Sequence, residues 1–146
     1  MSDDPRDGGR DEARLQPQGP AELQWAGHVL VVDDEDAVRD LVVHSLTRLG
    51  FDARVASDGT QAVAAFEADP ELFRLAIVDL RLPGIDGIEV MRRIRAIRTD
   101  VPVILMSGYY RMEPAVQPES AAPTGFLHKP FTLAALTSEI RSLLRA

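Results

Sequence analysis

The sequence contains no cysteine, which excludes disulfides, thiolate metal sites and a cysteine nucleophile. No apolar run approaches the roughly 20 residues that a membrane-spanning helix needs. The first residues, MSDDPR, bring acids early with no apolar segment behind them, so they do not read as a secretory signal. Positive charge is scarce as well: 16 Lys and Arg stand against 23 Asp and Glu, for a formal net charge of -7. With a pI of about 4.9, unassisted binding to nucleic acid or to an anionic membrane is not expected. Lysine is nearly missing, since the basic residues comprise fifteen Arg and one Lys, Lys129. What remains is 45% hydrophobic and 27% charged over 146 residues, enough chain for one globular domain with a real core. A cytoplasmic, acidic, single-domain protein is expected.

The one lysine is a candidate for work that a guanidinium cannot do. A compact ammonium approaches a phosphoryl oxygen or a carboxylate as a point charge, where a planar fork does not fit. The alternative is chance survival, and the neighbours of Lys129 decide between the two.

Residues 1–24 hold six acids, three Arg, three Gly and three Pro, with few large apolar side chains. Such a stretch buries too little surface to offset its ordering entropy, so it reads as a disordered acidic tail or linker. Trp25 reads either as the place where the tail touches the domain or as an exposed residue. The domain, over 25–146, begins with HVLVV at 28–32, a continuous apolar run expected of a strand covered on both faces. Helix 36–49 places Val38, Leu41, Val42, Ser45, Leu46 and Leu49 on one face, with Gly50 as its stop. A short strand at 53–56, a helix at 60–68 and a buried strand at 75–78 follow. Helix 87–97 is expected to turn Ile88, Met91, Ile94 and Ile97 inward and Arg92, Arg95 and Arg98 outward. Strands at 101–106 and 125–128 and a helix at 133–144 complete the pattern. Strands alternating with helices imply parallel pairing by right-handed crossovers, a doubly wound α/β fold.

In an open parallel sheet, ligands bind outside the carboxyl ends of the strands. Strand one ends in Asp33 and Asp34, strand three in Asp79, strand four in Ser107 and strand five in Lys129. Any one of these alone reads as a turn or cap residue, the role expected of Asp36 on the first helix. Three carboxylates converging on one crevice are different, because they repel one another unless a cation is present. An all-oxygen set, with no His or Cys expected nearby, suits a hard ion, most simply Mg2+. Three carboxylates, one Mg2+ and Lys129 balance in charge, so an arriving phosphate meets a metal and an ammonium.

The segments LVVDDE at 30–35, IVDLRLPGIDG at 77–87, PVILMSG at 102–108 and FLHKPF at 126–131 resemble the receiver domain of bacterial two-component response regulators. Each motif is weak alone, but their order and spacing together are specific. The resemblance implies a flavodoxin-like, five-stranded sheet of order 2-1-3-4-5. It implies that Asp79 accepts a phosphoryl group from a phosphohistidine on a histidine kinase or a histidine phosphotransfer protein. Asp33, Asp34, Asp79 and the backbone carbonyl of Arg81 are implied as Mg2+ ligands. Ser107 would hydrogen-bond the phosphoryl oxygen, Lys129 would pair with it, and Phe126 matches the aromatic switch that follows the hydroxyl. The Lys129–Pro130 bond is implied to be cis.

The sequence departs from the family after Ser107. Pro114, Pro118 and Pro123 remove backbone donors and disfavour helix before them, so the fourth helix, between strands four and five, is expected to be short, displaced or absent. Arg81 and Tyr109, each two residues beyond a site residue, are read as tuning the phosphoryl lifetime or else as plain loop residues. The leading expectation is a stand-alone receiver that is not an enzyme beyond its own phosphorylation and dephosphorylation, with no direct contact to nucleic acid or membrane. The alternative is the C-terminal receiver of a hybrid sensor histidine kinase. A remote alternative is a Mg2+-dependent phosphohydrolase with an aspartyl nucleophile. That chemistry places a second Asp two residues on as general acid, where this chain has Arg81.

Overall fold

Successive side chains of a strand point to opposite faces, and that alternation builds the two layers of core. On β1 (His28–Val32), Val29 and Val31 join one buried cluster, Leu30 and Val32 the other. The structure, a computed structural model, describes residues 25–108 and 122–144. The tail over 1–24, most of the expected fourth-helix segment and Tyr109 lie outside the described residues. The remaining strands are β2 (Asp52–Ala56), β3 (Phe73–Asp79), β4 (Val103–Ser107) and β5 (Thr124–His128). All pair in parallel, in the order β2-β1-β3-β4-β5. This is the topology that the resemblance implied.

Parallel neighbours need crossovers, and helices supply them. Residues of α1 (Asp36–Leu49) and α4 (Leu133–Leu144) pack on the Val29 and Val31 face. Those of α2 (Gly59–Ala68) and α3 (Gly87–Ile97) cover the Leu30 and Val32 face. Gly50 ends α1 in the left-handed region at φ 105°, and its amide reaches the carbonyls of Leu46 and Thr47. Asp58 and Asp86 cap α2 and α3 by accepting from the amides of Gln61 and Glu89, at 2.8 and 2.9 Å. Among the described residues, no helix is long and apolar enough to cross a membrane.

Several side chains depart from the sequence reading. Asp36 does not cap α1; Glu35 holds that position, without a side-chain capping bond, and Asp36 lies in the first turn paired with Arg39. A carboxylate there still complements the helix dipole. Leu41 is 47% exposed, because the buried stripe runs through Val42, Ser45, Leu46 and Leu49 and leaves Leu41 at its edge. On α3, Val90 is buried, and Ile97, expected inward, is exposed at 39%.

Arg95 is the main reversal, buried to 9% exposure where a solvated position was expected. Its guanidinium donates to the carbonyls of Val101 and Pro123 at 3.2 and 2.7 Å and to Thr124 Oγ1 at 2.9 Å. The strand entrances beside α3 offer oxygens that a long, forked donor can reach. Arg98 likewise folds back, donating to the Pro70 carbonyl at 2.6 Å and lying 5.9 Å from the centre of the Phe66 ring. Arg92 alone of the three keeps the expected outward position, paired with Glu89. Trp25 touches the domain: its ring stacks on Phe51 at 5.6 Å, and the Arg141 guanidinium lies 5.7 Å from its centre.

Candidate functional site

Strand register gathers the acids. Val32 of β1 stands beside Val78 of β3, so the next residues, Asp33 and Asp79, leave the sheet level with each other. This is the point where the chain runs to opposite sides of the sheet from adjacent strands, the crevice expected in such folds. Asp33 and Asp79 are buried, Asp34 is exposed, and one carboxylate oxygen from each lies within 4.8 Å of the others. The three sequence-predicted carboxylates therefore do form one cluster.

Local bonds hold each acid in place. The Asp33 amide donates to the Ala56 carbonyl at 3.2 Å, and Asp33 Oδ1 accepts from the Glu35 amide at 2.8 Å. Arg39 Nη1 donates to the Asp33 carbonyl at 2.7 Å. On the other strand, Asp79 Oδ1 accepts from the Arg81 amide at 3.3 Å. The amides of Leu80 and Gly87 continue inward to the carbonyls of Met106 and Leu80, at 2.9 and 3.1 Å.

Lys129 reaches across from the end of β5. Its amide donates to the Ser107 carbonyl at 2.8 Å, and the Lys129–Pro130 bond is cis. Its Nζ lies 2.8 Å from Asp33 Oδ2, 3.1 Å from Asp79 Oδ2 and 3.4 Å from Glu35 Oε1. Glu35 is a partner that sequence reading did not assign; its signal was its place directly after the Asp pair. Burial pushes the Asp79 carboxyl above the ordinary carboxylate range, and Asp33 pushes it further, while Lys129 and the Arg81 amide pull it back in part. Burial pulls the Lys129 ammonium down, but the close approach of Asp33 and the attraction of Asp79 outweigh it and leave it above the ordinary range.

These contacts also test the fit of a cation. Asp33 Oδ2 is buried and accepts no well-aligned hydrogen bond, with Lys129 present only as an ion pair. Among the described residues, Lys129 Nζ meets the carboxylates of Asp33, Asp79 and Glu35, and Asp34 joins Asp33 and Asp79 in the cluster, an excess of negative charge that a divalent ion on an all-oxygen donor set would relieve. The residues present fit Mg2+.

Ser107 ends β4 and is buried. Its hydroxyl is bonded to His128 Nδ1 at 2.6 Å, not to Asp79 or Lys129. His128 is a second residue that sequence reading passed over, although its position directly before Lys129 was visible. Phe126 is half-buried on β5 and packs against the cluster beneath α2 and α3. The Arg81 side chain is exposed, and no second Asp stands two residues beyond Asp79 as a phosphohydrolase of the kind weighed above would require.

Comparison with known proteins agrees with this architecture. The model of the response regulator receiver domain family matches residues 29–141. The transcriptional regulatory protein FixJ of Bradyrhizobium diazoefficiens is 36% identical over 120 residues, covering 82% of this chain and 57% of its own. The transcriptional regulatory protein CseB of Streptomyces coelicolor is 38% identical over 119 residues, covering 81% and 49%. The chain thus spans about half the length of the curated relatives it matches. A response regulator receiver protein of Sinorhizobium medicae has a similar structure, with a TM-score of 0.73 and 29% identity over 83% of this chain and 96% of that one. With this match over most of its length, beside the sheet order and the strand-end acids already described, the chain belongs to the response regulator receiver domain family of two-component systems.

Proposed function

We propose that this chain is the phosphoacceptor receiver of a response regulator, with Asp79 as the acceptor. The observation that carries the reading is the contact of Lys129 Nζ with Asp79 Oδ2 at 3.1 Å, beside the cluster of Asp33, Asp34 and Asp79. Asp33, Asp34, Asp79 and the Arg81 backbone carbonyl would hold Mg2+. When bound, the ion would offset charge on the transferring phosphoryl oxygens.

The chain's own groups do the rest. An Asp79 carboxylate oxygen forms the bond to phosphorus as the bond from phosphorus to the donor's imidazole nitrogen breaks. The leaving imidazole takes its proton from water. Lys129 stays close enough to pair with a phosphoryl oxygen, and Ser107 supplies the hydroxyl that would bond another. The donor would be a phosphohistidine on a histidine kinase or a histidine phosphotransfer protein, and the setting the cytoplasm. The chain would act on its own acyl phosphate only, without turning over a separate substrate.

The named relatives are transcriptional regulators, which favours a response regulator over the receiver of a hybrid kinase. The net charge of -7 argues that any output on DNA runs through another domain or a partner. Intact-mass spectrometry after incubation with acetyl phosphate and Mg2+ tests the reading. One phosphoryl adduct is expected, lost with EDTA and lost in Asp79→Asn; an adduct that survives Asp79→Asn would overturn the choice of acceptor.

A further inference from the structure

Ser107 and His128 are register partners on adjacent parallel strands, so their side chains rise on the same face of the sheet. The bond from the Lys129 amide to the Ser107 carbonyl, at 2.8 Å, extends that pairing by one step. The two side chains therefore meet by construction, and Ser107 Oγ lies 2.6 Å from His128 Nδ1. A serine hydroxyl carries one proton. A phosphoryl group on Asp79 offers only acceptor oxygens, so Ser107 can bond it only by donating that proton. Where Nδ1 accepts, the proton is already committed to the ring. Where the ring carries the proton on Nδ1, the hydroxyl oxygen is still held at the ring. In the first case the proton must leave the ring before it can go to a phosphoryl oxygen, and in the second the bond to the ring fixes where Oγ sits.

We propose that His128 is a positioning residue: it holds the Ser107 hydroxyl on the β5 side and competes with the phosphoryl group for it, favouring the resting state. This rests on the phosphoacceptor reading above. The competition has the weight of one ordinary hydrogen bond, about fivefold in an equilibrium.

Beryllofluoride with Mg2+, a phosphoryl mimic, is the probe, titrated by NMR into the full chain. His128→Ala is expected to bind it about fivefold more tightly than wild type. His128→Asn, which keeps an acceptor near the place of Nδ1, is expected to stay near wild type. In a Ser107→Ala background, His128→Ala is expected to change nothing further. Unchanged affinity in His128→Ala, or an equal gain with and without the Ser107 hydroxyl, would overturn the proposal. A second readout needs no metal: the His128 ring nitrogen signals of the metal-free protein should move in Ser107→Ala, and their staying still would overturn it as well. Absence of beryllofluoride binding in wild type itself would instead bring down the phosphoacceptor reading, and this proposal with it.

Discussion

Gly87 shows how tightly Asp79, the proposed acceptor, is held from behind. A Cβ at this position would lie 2.2 Å from the Asp79 carbonyl oxygen and 2.9 Å from Leu80 Cα. Both are backbone atoms, so they cannot rotate aside as a side chain would. Gly87→Ala is expected to destabilise the fold by about 1–3 kcal/mol, the usual range for overpacking. It should also push Asp79 out of line with Lys129. A misplacement near 1 Å can cost on the order of a hundredfold in rate, so phosphorylation by acetyl phosphate should slow strongly. Urea unfolding and the rate of adduct formation check the two effects; wild-type values in both would show that β3 and α3 separate freely. Lys129 acts at the same scale from the opposite side, since its one ammonium lies within 3.4 Å of Asp33, Asp79 and Glu35, a place that a planar guanidinium does not fit.

At the level of elements, α3 carries two kinds of arginine. Arg92 and Arg93 pair with Glu89 at the surface, and such pairs contribute little. Arg95 instead joins α3 to the entrances of β4 and β5 through the carbonyls of Val101 and Pro123 and the Thr124 hydroxyl. It has no carboxylate partner among those contacts, and burial pulls its guanidinium below the ordinary range. Arg95→Ala would leave the buried Val101 carbonyl without this donor, at about 1–3 kcal/mol, and would remove one of the two bonds to the Pro123 carbonyl, which also accepts from the Val103 amide at 3.2 Å. A loss of about 2 kcal/mol or more is therefore expected, against about 0.5 kcal/mol or less for Arg92→Ala. Chemical denaturation of the two variants side by side decides the point; equal losses would show that the Arg95 bonds are dispensable.

For the whole molecule, the site is expected to couple folding to pH and to Mg2+. The Asp79 carboxyl is raised by burial and by Asp33, so the folded chain binds this proton more tightly than the unfolded one. Its contribution to metal-free stability is present below the ordinary carboxylate range and is lost as pH rises through the raised value. Mg2+ needs the deprotonated carboxylates, so its stabilisation grows as pH rises through that same titration. At a concentration ten times its dissociation constant, the ion should add about 1.4 kcal/mol. Thermal unfolding with and without Mg2+ across acidic to neutral pH should show that gain shrinking toward acid. In Asp79→Asn, the gain should fall and the metal-free curve should lose the same limb. A Mg2+ shift that ignored pH would place the ion away from Asp79. Lys129 is raised by Asp33 and Asp79 despite its burial, so its contribution is intact below the ordinary lysine range and is lost only in alkali.

The sequence by itself determined the doubly wound fold, the order of its elements and the acids of the site. Apolar runs of period one and amphipathic runs of period 3.6 are local patterns, and in a parallel sheet the residue after each run lies at the carboxyl edge. That rule alone brought Asp33, Asp34, Asp79, Ser107 and Lys129 to one side. Only the tertiary structure decided which groups those residues meet. Arg95 turned inward because the openings of β4 and β5 presented oxygens to it, and Leu41 stayed outside because it lies at the edge of the stripe that α1 buries. Glu35 joined Lys129 from 94 residues away, and Ser107 met His128 across a strand pairing of separation 21. Such contacts depend on register and approach between distant segments, and no local periodicity encodes them.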